Sequence, residues 1–342
     1  MNTSDKILIK EICLNNDTQL PLVSIIILSY NNSKYIRECL DSCIKQSYPK
    51  IEIIVIDDGS KDNSTSIIEE IFNSTEVNIT AIFSSQNSGI VKSYNRALDY
   101  CKGDYIAHIG SDDFNFLNRI SSSIELLTSS DASMVVGGVA LIDENNRIIK
   151  YGWPKAENQN LKFVLKNGIS VTSPTMFYSN ELIIKFGKLP INLANEDEEL
   201  AFRAIIQKGI IISPEVLVAY RKHIASLTNY SRSIRKLLSK FVENSPFVRA
   251  NYYSWEKHLS ELKINVSNGD NKLQLLIKKS RKGEKLYSLL KISGLYGQNE
   301  SVKLDFTILL EIFWLLGLVV KMRGSKLRNK VFALIKNKKI SY

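Results

Sequence analysis

Four short apolar runs recur through the first third of the chain, and each ends in a polar cluster. "VSIIILS" (23–29) is nearly continuous and β-branched, as a strand buried on both faces should be. "IEIIVI" (51–56), "ITAIF" (79–83) and "YIAHI" (105–109) repeat the pattern. Between them the apolar spacing turns helical. Ile36, Leu40, Cys43 and Ile44 share one face, with Ser33 as a suitable N-cap, and helices are predicted near 63–72 and 88–101. Strands alternating with helices predict parallel βαβ units in a doubly wound α/β sheet. Further on, 132–143 and 147–152 read as paired strands, and "SPTMFYS" (173–179) as a short strand entered through a proline turn. "NEDEELAFRAIIQKG" (195–209) reads as a helix that Asn195 caps, acids open and Gly209 ends. From about 231 the pattern is helical and basic. The expected organisation is an N-terminal extension (1–21), an α/β domain (22–230) and a helical basic region (231–342).

Charge sharpens that division. Residues 1–230 carry 22 Lys and Arg against 27 Asp and Glu, whereas 231–342 carry 23 against 8. A basic C-terminal part of this kind faces something anionic. "FTILLEIFWLLGLVV" (306–320) is strongly apolar but short of the ~20 residues a spanning helix needs, and Glu311 interrupts it. It precedes eight Lys and Arg without an acid in 321–339. Peripheral association with an anionic membrane is the expected use, the alternative being a small helical domain with 306–320 as its core. No nucleic-acid module is recognisable, so nucleic acid is not an expected partner. The N-terminus lacks a long apolar segment, which predicts a cytoplasmic protein on the inner face of the plasma membrane. Cys39 and Cys43, one helical turn apart, read as small buried hydrophobes.

Ligands of open α/β sheets bind beyond the carboxyl ends of the strands. There the chain places "SYNN" (29–32), "DDGS" (57–60), "SSQNSG" (84–89) and "GSDD" (110–113). Neither GxGxxG nor GxxxxGK[ST] occurs on this rim, and basic residues are sparse. A phosphate bound here needs a divalent metal held by carboxylates. Taken alone, the adjacent acids of "HIGSDDF" (108–114) fit a solvated turn as well as a cation site.

Together the four blocks resemble glycosyltransferase family 2, the inverting enzymes of GT-A fold. The resemblance covers roughly 22–230, and "EDEELAFR" (196–203) and "YRKHIASLT" (220–228) are similar to two further blocks of that family. It implies a UDP-sugar donor contacted by Ser29, Tyr30, Asp58, Asn87, Lys92, Asn95 and Asp112, with Tyr30 stacking on uracil and Asp112 facing the ribose. Asp57 is expected to brace its turn. Asp113, with His223 as a further ligand, would hold Mn²⁺ or Mg²⁺. Asp197 is the implied catalytic base and Glu196 its fallback. Gly110 stands where relatives often carry a third acid.

The blander readings stay open beside these. The acids at 196–199 also complement a helix dipole, and His223 also suits a packed surface residue, while His108 and His258 read as structural. The implied acceptor is a glycan, with the basic tail favouring a lipid-diphosphate-linked one of bacterial surface polysaccharide. The alternative function is a non-catalytic sugar-nucleotide-binding scaffold of a membrane assembly complex.

Overall fold

The computed structural model describes residues 5–12, 19–154, 169, 171–191, 193, 196–223 and 258. These belong to the first of two compact units, which comprises 1–226 and 254–266. The proposed Asn195 cap and the basic region, His258 apart, lie outside the described residues. No described helix is long and apolar enough to cross a membrane.

The four apolar runs form β2 (Val23–Ser29), β3 (Ile51–Asp57), β4 (Asn78–Phe83) and β5 (Tyr105–Gly110), all parallel, in the order β4-β3-β2-β5. The register sets Ser29 beside Asp57, Asp57 beside Phe83, and Leu28 beside Gly110. The four carboxyl ends are therefore level. The run 1–21 is not only an extension, because β1 (Lys6–Lys10) pairs antiparallel with β4 and closes that sheet edge.

The sheet's two faces are covered as its two-sided burial requires. On one, Ile36, Cys39, Leu40 and Cys43 of α1 (Ile36–Ile44) pack with α2 (Ser64–Ser74) and α4 (Arg119–Thr128). Both cysteines are fully buried. On the other, α3 (Ile90–Leu98) and α6 (Glu196–Gln207) contribute Val91, Tyr94, Leu200, Ala201 and Ala204, with Leu182 from α5 (Glu181–Phe186). Ser33 does not cap α1. Its N–H binds Asp62 instead, and the helix opens from Tyr35 without a side-chain cap.

The second half of the sheet brings distant segments to the same rim. The predicted pair appears as β7 (Met134–Ile142) and β8 (Ile148–Gly152), antiparallel. "SPTMFYS" divides into a 3-10 turn (Ser173–Thr175) and β9 (Phe177–Ser179), which joins β5 to β7. β10 (Ile210–Arg221) runs parallel to β7 and antiparallel to β6 (Phe114–Asn115), with Ala219 beside Phe114. That last pairing delivers the end of β10 to the acidic turn between β5 and β6.

Candidate active site

The first part of the rim is held by carboxylates. Asp57 accepts hydrogen bonds from the Ser60 N–H (2.8 Å), the Ser60 hydroxyl (2.6 Å) and the Ser29 hydroxyl. Burial raises its pKa, and the Ser60 bonds oppose the rise. This is the expected brace, and it takes Ser29 with it: the Ser29 hydroxyl is buried against Asp57 rather than offered to a nucleotide. Asp58 accepts from the Ser88 N–H (2.9 Å) and hydroxyl (3.0 Å) and from the Gly89 N–H (2.8 Å). It thereby fixes the start of α3 and the segment bearing Asn87 and Lys92, both exposed. Gly59, at φ +79°, lets the two segments approach; a Cβ there would lie 2.7 Å from the Gln86 carbonyl carbon. Tyr30 is half-buried on the neighbouring loop. Asn95 departs from expectation. Its amide both donates to the Leu189 carbonyl (2.7 Å) and accepts from the Leu189 N–H (2.8 Å), so it clasps a loop and is not available to a nucleotide.

The two adjacent acids of "HIGSDDF" face different surroundings. Asp113 is buried, its carboxylate accepting the Arg221 N–H at 2.8 Å. Burial, reinforced by Asp112, raises its pKa well above the usual carboxylate range despite the opposing pull of Arg221. Asp112 is more open, and its Oδ2 lies 2.9 Å from Nε2 of His223. Asp113 was the expected metal ligand and Asp112 the expected ribose contact. In the structure Asp112 is paired with His223, while Asp113 is turned inward against the Arg221 N–H. Gly110 leaves room for this arrangement, since a Cβ there would meet Asp112 Oδ1 at 2.8 Å. Among the described residues, no group of three or more His, Cys, Asp and Glu side chains could hold a metal ion.

The acids of α6 also separate into distinct roles. Glu196 is buried, and burial, with the Asp197 charge adding to it, pushes its pKa up to about 8. Glu199 is fully buried between Arg203 (2.9 Å) and His258 Nε2 (2.7 Å). Burial would raise its pKa, but those partners outweigh it and hold the carboxyl below its usual range. Arg203 in turn donates to the Gly187 and Lys188 carbonyls, anchoring the loop before α6. Asp197 is half-buried in the first turn, accepting from the Glu198 N–H. The Glu199–Arg203–His258 cluster was not foreseen; the i, i+4 spacing of the first two was its one visible sign. His108 is structural as expected. Burial, with Arg119 adding to the effect, drops its pKa to about 3, so the imidazole is neutral.

Glu196 carries a test of this burial. The folded protein keeps a proton there that the unfolded chain releases near 4.5, so stability falls as pH rises from about 4.5 to 8. The slope from this one group is at most ~1.4 kcal/mol per pH unit. Glu196→Gln should remove it. Thermal melts at pH 5, 6.5 and 8 should show the variant gaining on the wild type as pH rises; a constant difference would refute the buried, protonated Glu196.

The model of the family described as glycosyl transferase family 2 matches residues 24–185. An uncharacterised glycosyltransferase of Rickettsia typhi is 30% identical over 224 residues, which cover 63% of this chain and 69% of the relative. The chain belongs to glycosyl transferase family 2. A second uncharacterised glycosyltransferase, from Rickettsia felis, is 28% identical over 237 residues, 65% of this chain but 38% of that longer relative. Among solved structures, residues 1–349 of S. aureus TarS in complex with UDP-GlcNAc superpose with a TM-score of 0.50 at 18% identity, covering 82% of this chain and 95% of that TarS chain. That likeness concerns the fold, which is the GT-A arrangement of a mainly parallel sheet flanked by helices. The rim described above therefore lies at the carboxyl ends of the parallel strands of a family-2 fold.

Proposed function

We propose that this family-2 chain is a metal-dependent inverting glycosyltransferase that uses a UDP-sugar donor. The observation that carries the reading is the Asp112–His223 pair, 2.9 Å apart at the carboxyl end of the sheet. Asp112 and His223 would hold the ion, the carboxylate being the hard oxygen donor that suits Mn²⁺ or Mg²⁺ and the imidazole standing beside it. When bound, such an ion supplies positive charge to the leaving diphosphate on a rim poor in Lys and Arg. Tyr30 offers its ring to the base, and the segment fixed by Asp58 bears the exposed Asn87 and Lys92. TarS, of the same fold, was crystallised with UDP-GlcNAc.

In the reaction an acceptor hydroxyl attacks the anomeric carbon from the face opposite the leaving UDP. One carbon–oxygen bond forms as the other breaks, and the hydroxyl proton passes to Asp197. Asp197 suits that task better than its neighbour, because Glu196 already holds a proton at neutral pH. The acceptor reading rests on sequence. An apolar 306–320 followed by a basic 321–339 suits an anionic leaflet, and hence a lipid-diphosphate-linked glycan of a bacterial surface polysaccharide reached from the cytoplasmic face.

The test is UDP release from a panel of UDP-sugars with Mn²⁺ or Mg²⁺, run with and without a lipid-diphosphate acceptor. Acceptor-dependent release and extension of the acceptor are expected. Tight UDP binding without either would overturn the catalytic reading in favour of a scaffold.

A further inference from the structure

Arg221, the last residue of β10, is a fully buried cation with an unusual set of partners. Its Nε donates to the Asp112 carbonyl (2.8 Å). One terminal nitrogen donates to the Asp143 carbonyl (3.2 Å) and Asn146 Oδ1 (2.5 Å), and the other to Glu38 Oε2 (2.6 Å). Its backbone N–H donates to Asp113. The guanidinium lies 4.5 Å from the centre of the Tyr35 ring, and that ring packs 5.3 Å from the ring of His223. One side chain thus ties α1, the acidic turn and the 143–146 turn to the strand that carries His223 two residues later.

We propose that Arg221 is a positioning residue that holds Asp112 and His223 together in the geometry assigned above to the cation, a claim that rests on that reading. Three features separate this from ordinary core glue. The partners of Arg221 converge on both members of the pair: the main chain of Asp112 directly, and His223 through Tyr35. A planar fork with fixed donor directions is needed to span three segments, which a lysine's single charged centre cannot do. Its acidic partner, Glu38, is 40% exposed, so the fork is anchored from outside the buried core. Groups that orient metal ligands from behind typically change metal affinity ~10–100-fold when altered.

The experiment measures Mn²⁺ binding to the UDP-loaded full-length protein by the electron paramagnetic resonance of free Mn²⁺, beside UDP binding without metal. Arg221→Lys should weaken Mn²⁺ binding by about tenfold or more. Glu38→Gln should weaken it severalfold, and the double variant no more than Arg221→Lys alone. Metal-free UDP affinity should stay unchanged throughout. Wild-type Mn²⁺ affinity in both folded single variants would overturn the proposal, as would a parallel fall in metal-free UDP affinity, the mark of general loosening. If Arg221→Lys does not fold, Glu38→Gln decides alone. A wild-type protein that binds Mn²⁺ with UDP but transfers no sugar would refute the reaction and leave the strut to be judged by Mn²⁺ affinity. A wild-type protein that binds no Mn²⁺ with UDP would overturn both.

Discussion

Asp197→Asn is expected to lower kcat by ~10²–10⁴ while leaving UDP binding intact. The change keeps the side chain's shape and removes its ability to accept the acceptor's proton. Its position explains why binding should survive: Asp197 stands in the first turn of α6, on the sheet face opposite α1, whereas the contacts proposed for UDP come from the loops at the strand ends. The helix itself should persist, because Glu199 and Arg203 anchor it through a buried ion pair and Leu200, Ala201 and Ala204 through the core. Glu196 cannot stand in, since at neutral pH its buried carboxyl already carries a proton. The measurement is UDP release at saturating donor and acceptor, with circular dichroism and UDP calorimetry as controls. A variant with wild-type kcat would remove Asp197 from the mechanism; one that loses UDP binding as well would make it a donor contact.

The sheet was legible because its parallel strands are buried on both faces and so read as near-continuous β-branched runs. The rim was legible for the same reason: each run stops at a polar cluster, and parallel strands stop on one side. What could not be read was direction within the clusters. Asp112 and Asp113 are adjacent in sequence, and only the antiparallel pairing of β6 with the end of β10 decides which carboxylate takes the Arg221 N–H and which meets His223. Asn95 shows the same limit. Its helix was foreseen, but its amide is taken by Leu189, ninety-four residues away. The strand Lys6–Lys10 is not legible because, as a largely exposed edge strand, it sets only three apolar residues between two lysines and lacks the buried-strand signature.

Metal affinity should depend on nucleotide, and Asp112→Asn should abolish that dependence together with transfer. The described residues offer a carboxylate and an imidazole to the cation, with no third titratable ligand to complete a site. Mg²⁺ and Mn²⁺ prefer six oxygen or nitrogen donors, so a two-residue site binds weakly until diphosphate oxygens join it. Mn²⁺ titrated into the protein alone should therefore bind weakly, and UDP should tighten it. Uridine, which lacks phosphates, should not. By reciprocity, Mn²⁺ must raise UDP affinity by the same factor. In Asp112→Asn the amide keeps a neutral oxygen but loses the charge that offsets the cation, and both couplings should collapse to near unity. His223→Ala should weaken them less, since imidazole brings no negative charge. Tight Mn²⁺ binding without nucleotide would point to a complete protein site elsewhere in the chain. Undiminished coupling in Asp112→Asn would return the cation to Asp113, against the burial and the Arg221 hydrogen bond that turn its carboxylate inward.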